Sequence, residues 1–318
     1  MPQNETLLFI FFNLFILAML ALDLGVFHRK AHEVRIKEAA IWSGVWVALS
    51  LLFNIGLYFY VRSSTGSEQE ATRVGLEFLT GYLLEKSLSV DNIFVFIVIF
   101  TYFGVPKHLQ HKILFWGVVG ALIMRSIFIA TGAMLIYRFE WVLYIFGAIL
   151  VVSGWKMMFQ KEMEVHPERN IVIRLAQKFF PVASGYESGN FFLRKNGQLF
   201  ITPLFLVLLT VETTDVVFAV DSIPAVFGVT RDPFIVYSSN VFAILGLRAL
   251  YFLLAGAMSS FHYLKYGLSL VLIFIGVKML IGEFYHVPIL VSLIVVGGIL
   301  FVSVFTSLIR NRRRASTR

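Results

Sequence analysis

The sequence predicts an all-α polytopic membrane protein of about nine transmembrane helices, in which two groups of three are inverted copies of one another. Three observations predict it. Apolar residues make up 58% of the chain and charged ones only 14%, against ~45–50% and ~25% in soluble domains. The apolar residues fall into runs of bilayer length. Two runs that carry acids align with each other without a gap.

Runs of about 17–25 apolar residues place the spans at residues 5–26, 39–61, 75–103, 112–136, 140–160, 199–227, 235–258, 264–281 and 287–309. The third and sixth are long enough to be tilted, kinked or partly unwound. The chain then divides into two N-terminal helices (1–74), a first three-helix repeat (75–160) and a cytoplasmic loop (161–198). A second repeat (199–282) and a last helix with a basic tail (283–318) follow.

Orientation follows from charge. The opening "MPQNETLLFIF" has no positive n-region, and the cluster "HRK" comes after the apolar run, which favours an uncleaved first span with its N-terminus outside. That choice puts eighteen Lys and Arg residues on the inner face and four on the outer (Arg62, Arg73, Arg138 and Arg231), the bias expected of an inner membrane protein. The net charge of +8 then reads as a topology signal, and no nucleic-acid partner is needed. The chain has no cysteine, and its seven histidines fall in loops or at span ends. Disulfides, thiolate metal sites and a histidine-lined intramembrane Zn or Cu site are not expected.

The repeat appears when "SVDNIFVFIVIFTYFGV" is set over "TTDVVFAVDSIPAVFGV". Asp91 falls on Asp215, Phe94 on Phe218, and "FGV" at 103–105 on "FGV" at 227–229. Farther on, "GWKMM" (154–158) matches "GVKML" (276–280), and Arg125 lies close to Arg248. Three spans per unit is an odd number, so the second copy enters the membrane from the opposite face. Transporters built this way bind substrate near the midplane, between the repeats.

The acids of these runs call for an explanation. An Asp at the centre of a spanning helix costs roughly 2.5–3.5 kcal/mol on insertion scales, and "LTVETTDVVFAVDSIPAVFG" holds Glu212, Asp215 and Asp221. With the two copies antiparallel and level at Asp91 and Asp215, Glu85 and Asp221 both fall about 9 Å toward the outside, and Glu212 falls about 4.5 Å toward the inside. The carboxylates thus divide into an inner group (Asp91, Glu212, Asp215) and an outer pair (Glu85, Asp221). Glu212 and Asp221 lie on opposite faces of an unbroken helix. Pro224 removes a hydrogen bond after Asp221 and could break it. Asp23 sits near the inner end of the first span and Glu77 near the outer end of the third, as a funnel or rim residue.

The ligands on offer are carboxylates, the Asn92 amide, the hydroxyls of Ser87, Ser89, Thr213 and Thr214, and backbone carbonyls. An all-oxygen set suits Mn²⁺, Ca²⁺ or Mg²⁺. Five intramembrane acids against Lys86, Arg125 and Arg248 leave a surplus of about two negative charges, enough for one divalent ion. Rival readings are salt bridging to Arg125 and Arg248 alone, and a proton relay without metal. Lys156 and Lys278 read as snorkelling residues. The glycines at 120, 132, 147, 154, 246, 256 and 276 read as close-packing positions. In the long loop, "HPERNIVIRLAQKFF" reads as an amphipathic helix lying on the inner leaflet, and Asn196-Gly197 as a hairpin turn. No nucleophile–base pair or phosphate loop is present, so no enzyme is expected.

The stretches "GYLLEKSLSVDNIFVF", "VETTDVVFAVDSIPAVF" and "SSNVFAILGLRALYFLLAG" resemble the TerC family of bacterial integral membrane proteins, and within it the alkaline-induced Alx branch, through nearly the whole chain. The resemblance implies a nine-span inner-membrane protein linked to manganese export, in a family named for tellurite resistance. Its acidic motif positions carry over to Glu85, Asp91, Asn92, Glu212, Asp215 and Asp221. The resulting assignment makes Asp91, Asn92, Glu212 and Asp215 the metal site, and Glu85 and Asp221 an outer gate or proton-coupling pair. Lys86, Arg125, Arg248 and Pro224 support them. The function expected is export of a divalent cation, with Mn²⁺ specified by the resemblance and proton antiport as one coupling. The alternatives are a non-transporting platform for metal delivery or tellurite resistance, and a proton-conducting protein. The oligomeric state is left open.

Reporter fusions test the orientation. Those at Arg62 and Arg231 should read periplasmic, and those at Lys107 and Arg194 cytoplasmic. A cytoplasmic reading at Arg231 would reverse the sixth span and sink the inverted repeat with it.

Overall fold

The computed structural model describes residues 5–27, 36–159, 170–183, 185–186, 189–195, 197–255, 263–282, 284–285 and 287–316. A helix stands at each of the nine expected spans: α1 (Glu5–Phe27), α2 (Ile36–Thr65), α3 (Glu68–Tyr102), α4 (Lys107–Arg138), α5 (Val142–Phe159), α7 (Pro203–Phe227), the pair α8 (Pro233–Leu245) and α9 (Leu247–Ala255), α10 (Leu264–Leu280) and α11 (Ile289–Ser316). Between α5 and α7 come α6 (Ile171–Phe179) and the hairpin β1 (Phe192–Lys195) and β2 (Gln198–Ile201). Among the described residues five helices are long and apolar enough to cross a membrane, and α8 with α9 makes a sixth. α3 has the length, but Glu85, Lys86 and Asp91 lower its hydropathy. α10 is the shortest of the unbroken span helices, at 17 residues.

Helix starts follow local chemistry. Ser67 accepts a hydrogen bond from Glu70 N and caps α3. α7 and α8 open on Thr202-Pro203 and Asp232-Pro233, each a capping side chain followed by proline at the first helical position, where its missing N–H costs nothing. The hairpin closes with Gly197 at φ +79°. Asn196, the other expected turn residue, lies outside the described residues.

Two expectations about breaks are corrected. α7 runs through Pro224 without interruption to Phe227, and α3 is continuous over 35 residues. The break comes instead in the seventh span, where α8 and α9 meet at Gly246 with a 41° bend. Pro224 lies one turn from the end of α7, and the helix tolerates the single bond lost at the Val220 carbonyl without breaking.

The expected loop helix forms and is anchored to the bundle. Asn170 caps α6 through Oδ1 and donates from Nδ2 to Thr213 Oγ1 at 2.7 Å, while Ile173 is buried against Ile201 and Leu206. Thr213 is ten residues into α7, about 15 Å from its start. α6 is therefore tied to α7 by one polar and one apolar anchor, while Ile171, Leu175 and Phe179 stay exposed. Residues 166–169 of the expected helix lie outside the described residues.

The repeats interlock. α3 packs on α8 and α4 on α7, so the first helix of each repeat lies on the second of the other. α5 lies along α10 in the closest seam of the molecule. A Cβ on Gly276 would come 2.6 Å from the Gly147 carbonyl oxygen and 2.9 Å from Val151 N. One on Gly154 would come 2.7 Å from the Ser269 carbonyl oxygen and 3.1 Å from Ile273 N. The repeat sets Gly154 on Gly276, Val151 on Ile273 and Gly147 on Ser269, so each contact is the other with the copies exchanged. The two helices run antiparallel, as inverted copies must.

The remaining spans wrap this core. Phe12 and Phe53 bring α1 and α2 onto α3 and α8, with ring centroids 5.6 Å apart for Phe12–Phe234, 4.9 Å for Phe53–Phe242 and 5.4 Å for Phe53–Phe78. α11 covers α10 and α3.

Replacing Gly154 or Gly276 by alanine should each cost about 1–3 kcal/mol, the usual penalty for overpacking, and the two losses should match because the contacts are equivalent. Gly44→Ala, with nothing within 4 Å of the new Cβ, is the control. Thermal unfolding in detergent reads all three. A neutral Gly276→Ala would refute the seam.

Candidate functional site

Four helices meet at one buried arginine. Arg125 of α4 is 2% exposed. Its Nε and Nη2 donate to the two oxygens of Asp215 on α7, at 3.3 and 3.2 Å. Its Nη1 donates to Glu85 Oε1 on α3, to Ser222 Oγ on α7 at 3.2 Å and to Asn240 Oδ1 on α8 at 3.2 Å. Asn240 closes the ring by donating from Nδ2 to Glu85 Oε2 at 3.1 Å. Glu85 and Asn240 are fully buried and Asp215 nearly so. Each repeat supplies two of the helices, so the node is also the joint between the copies.

One guanidinium thus serves two carboxylates, and a third stands beside them. Glu212, one turn before Asp215 on α7, lies half-buried with its carboxylate over Gly120 of α4, in the space a Cβ on that glycine would fill. It makes no hydrogen bond or ion pair with a described residue. Gly120 is therefore a seat for an acid, not a plain packing position.

Other expected ligands lie on α3 near this level. Asn92 is buried. Ser89 Oγ is buried and unpartnered. Ser87, Thr213 and Thr214 donate their protons to carbonyls one turn back, so each oxygen is left to accept, and that of Thr213 already accepts from Asn170. The side chains of Asp91 and Asp23 lie outside the described residues. Arg248, which the repeat sets near Arg125, is buried on α9 just past the break. Among the described residues no three acidic or histidine side chains converge as a preformed metal cluster.

The expected outer pair does not form. Glu85 belongs to the Arg125 node with Asp215. Asp221 instead points to α5, where it accepts a hydrogen bond from Ser153 Oγ at 2.7 Å and feels the charge of Lys156 on the same helix. Counting residues to a common depth ignored the crossing of α3 and α7 and the length of an arginine side chain, which together let Glu85 reach Asp215's partner. Because α7 stays helical, Glu212 and Asp221 remain on opposite faces, as the spacing required.

Two functional residues escaped the sequence reading. Asn240 and Ser222 complete the coordination of Arg125. The signal was the polar run "SSN" at 238–240 inside an apolar span, all three residues fully buried; a buried amide asks for partners as a carboxylate does. A cavity of about 840 Å³ with charged groups in its lining also opens between the starts of α3, α5, α8 and α11 and the ends of α7 and α10. Glu77 lines it with Arg73, Arg231 and Lys278, and Glu77 accepts a hydrogen bond from Thr230 at 2.6 Å.

Fold and node together define a multi-pass integral membrane protein with a charged site buried between inverted repeats. More particularly, the chain belongs to the TerC family: residues 70–315 match the integral membrane protein TerC family. It is 52% identical to Alx of Escherichia coli strain K12, whose name proposes a membrane-bound redox modulator, over 92% of this chain and 91% of that protein. It is 50% identical to a membrane protein of Myxococcus xanthus over 95% and 92% of the two chains, and 40% identical to one of Rickettsia bellii over 95% and 97%. No solved structure matches it.

Arg125→Met should cost about 3–5 kcal/mol, because it leaves two buried carboxylates without their cation. Adding Glu85→Gln should restore part of that loss, and thermal unfolding of the single and double variants measures it. An additive double variant would show that Glu85 and Arg125 are not coupled.

Proposed function

We propose that this protein is a secondary carrier that exports a hard divalent cation, Mn²⁺ first, across the bacterial inner membrane, with its N-terminus outside and C-terminus inside. The observation that carries the reading is the excess of carboxylate over fixed cation where the two repeats cross. Arg125 is shared by Glu85 and Asp215, and Glu212 beside them has no ion-pair partner among the described residues. A buried acid without a partner is costly, and a divalent ion offsets that cost. The nearby ligands are all oxygens, which suits Mn²⁺, Ca²⁺ and Mg²⁺ better than Zn²⁺ or Cu²⁺; manganese among them rests on the family resemblance.

Arg125 then acts as an internal stand-in for the cargo. When an ion arrives between Glu212 and Asp215, with Asn92 and Asp91 as further ligands, Asp215 turns from the guanidinium to the ion and Arg125 stays on Glu85. Loading thereby loosens a joint between the repeats, which couples binding to movement. An unpaired carboxylate can hold either an ion or a proton, and that exchange is what proton antiport requires. Asp221, held by Ser153 on another face, takes part in coupling rather than in ligation, and the cavity beside Glu77 is the outward vestibule. The redox role in the Alx name would act through the metal, since this chain has no cysteine of its own. A carrier, not an enzyme, is the activity this arrangement supports.

Sealed everted vesicles decide between carrier and platform. Vesicles with the protein should accumulate Mn²⁺, and Zn²⁺ much less. Glu212→Gln, Asp215→Asn and Gly120→Ala should each cut uptake at least tenfold and abolish Mn²⁺-induced thermal stabilisation. Asp221→Asn should keep the stabilisation but lose transport. Uptake no greater than in empty vesicles would leave the platform reading in place.

A further inference from the structure

Lys86 follows Glu85 on α3, but its charge goes elsewhere. Its ammonium donates to the Ala243 carbonyl oxygen at 3.2 Å, in the last turn of α8, and it forms no ion pair with a described residue. Glu85, its neighbour in sequence, is engaged by Arg125 and Asn240. α8 ends two residues later at the break with α9. The last carbonyls of a helix have no intrahelical partner, and that end carries partial negative charge. Within a bundle such carbonyls must find a donor or a cation. Gly246, the residue at the break, makes the approach possible: a Cβ there would lie 2.5 Å from Lys86 Nζ and 3.2 Å from Trp46 Cβ. The bend, the missing side chain and the lysine fit as one unit.

Where a helix breaks inside a membrane, transporters commonly place a free Na⁺ or H⁺ at the C-terminal end of the half-helix. We propose that the α8–α9 break is a monovalent-cation site that this chain fills with its own ammonium, Lys86. The tethered charge holds the end of α8 in place, and through Asn240, five residues before the end of that helix, it positions Glu85 and Arg125. Lys86 is a positioning residue in this sense. The inference rests on the carrier reading for its consequence: export needs no free Na⁺ or K⁺, because the site such an ion would use is already occupied.

The test vacates the site and offers it a free cation. Purified Lys86→Ala should unfold at a lower temperature than wild type and recover at least half of the loss in methylammonium chloride. It should not recover in the same concentration of tetramethylammonium chloride, whose cation is too large for the gap. Wild type should respond to neither. In everted vesicles, wild-type Mn²⁺ uptake should be unchanged in buffers whose only monovalent cation is choline, while Lys86→Ala should fall at least tenfold there and rise at least threefold with methylammonium. If wild type itself moves no Mn²⁺, the carrier reading fails, and the unfolding measurement still decides the cation site. Lys86→Ala indifferent to methylammonium, Lys86→Met equal to wild type, or wild-type uptake that requires Na⁺ would each overturn the proposal. Should Lys86→Ala fail to fold, Gly246→Ala serves alone. It should lower the unfolding temperature with no methylammonium response, since the ammonium is pushed aside but still tethered, and a wild-type unfolding temperature overturns the inference.

Discussion

The guanidinium of Arg125 is the constraint on which the rest depends. It is buried in a region built for lipid, and a charge there persists only when every donor is matched. Meeting that demand fixes Asp215 and Ser222 on α7, Glu85 on α3 and Asn240 on α8 in one place. Those helices come from both repeats, so the electrostatic requirement and the packing of the bundle are one requirement. The interlocked pairing of α3 with α8 and α4 with α7 brings the partners into reach. The partners in turn give the pairing a specificity that apolar side chains facing apolar lipid could not supply.

The sequence made much of this legible, and its omissions have physical causes. Nine apolar runs gave nine helix positions, because in a membrane backbone groups must be satisfied within the segment and helix is almost the only solution. The repeat was legible because Asp91, Asp215, the two "FGV" motifs and the "G-x-K-M" pair mark corresponding positions. Arg125 was visible as a central base, but its choice of partners was not. Depth along parallel axes can be counted from residue numbers, whereas helix crossing and side-chain reach cannot. Pro224 illustrates the limit well. Proline removes the hydrogen bond to the carbonyl four residues back, here Val220, but the surrounding packing decides whether the helix breaks, and α7 stays continuous. The actual break at Gly246 carries no proline, and depends on a lysine from another helix that no local pattern announces.

Within the spans glycine has three different uses, which composition alone merges. At 147, 154 and 276 it lets backbones touch. At 120 it leaves room for a carboxylate, and at 246 for an ammonium. The second and third uses put charged groups against helix backbone at sites where any side chain would displace them. Small residues in a membrane bundle therefore mark where charge is seated as well as where helices close.

The seam between α5 and α10 has a bearing on movement. Its contacts pair Gly147 with Gly276 and Ser269 with Gly154, and exchanging the two copies turns one pair into the other. In a carrier of inverted repeats, the inward-open and outward-open forms differ by such an exchange of conformations. A contact that maps onto itself then has the same energy in both forms. In the carrier proposed above, this seam is tight without favouring either form, and so suits the pivot about which the asymmetric contacts of Arg125 are remade.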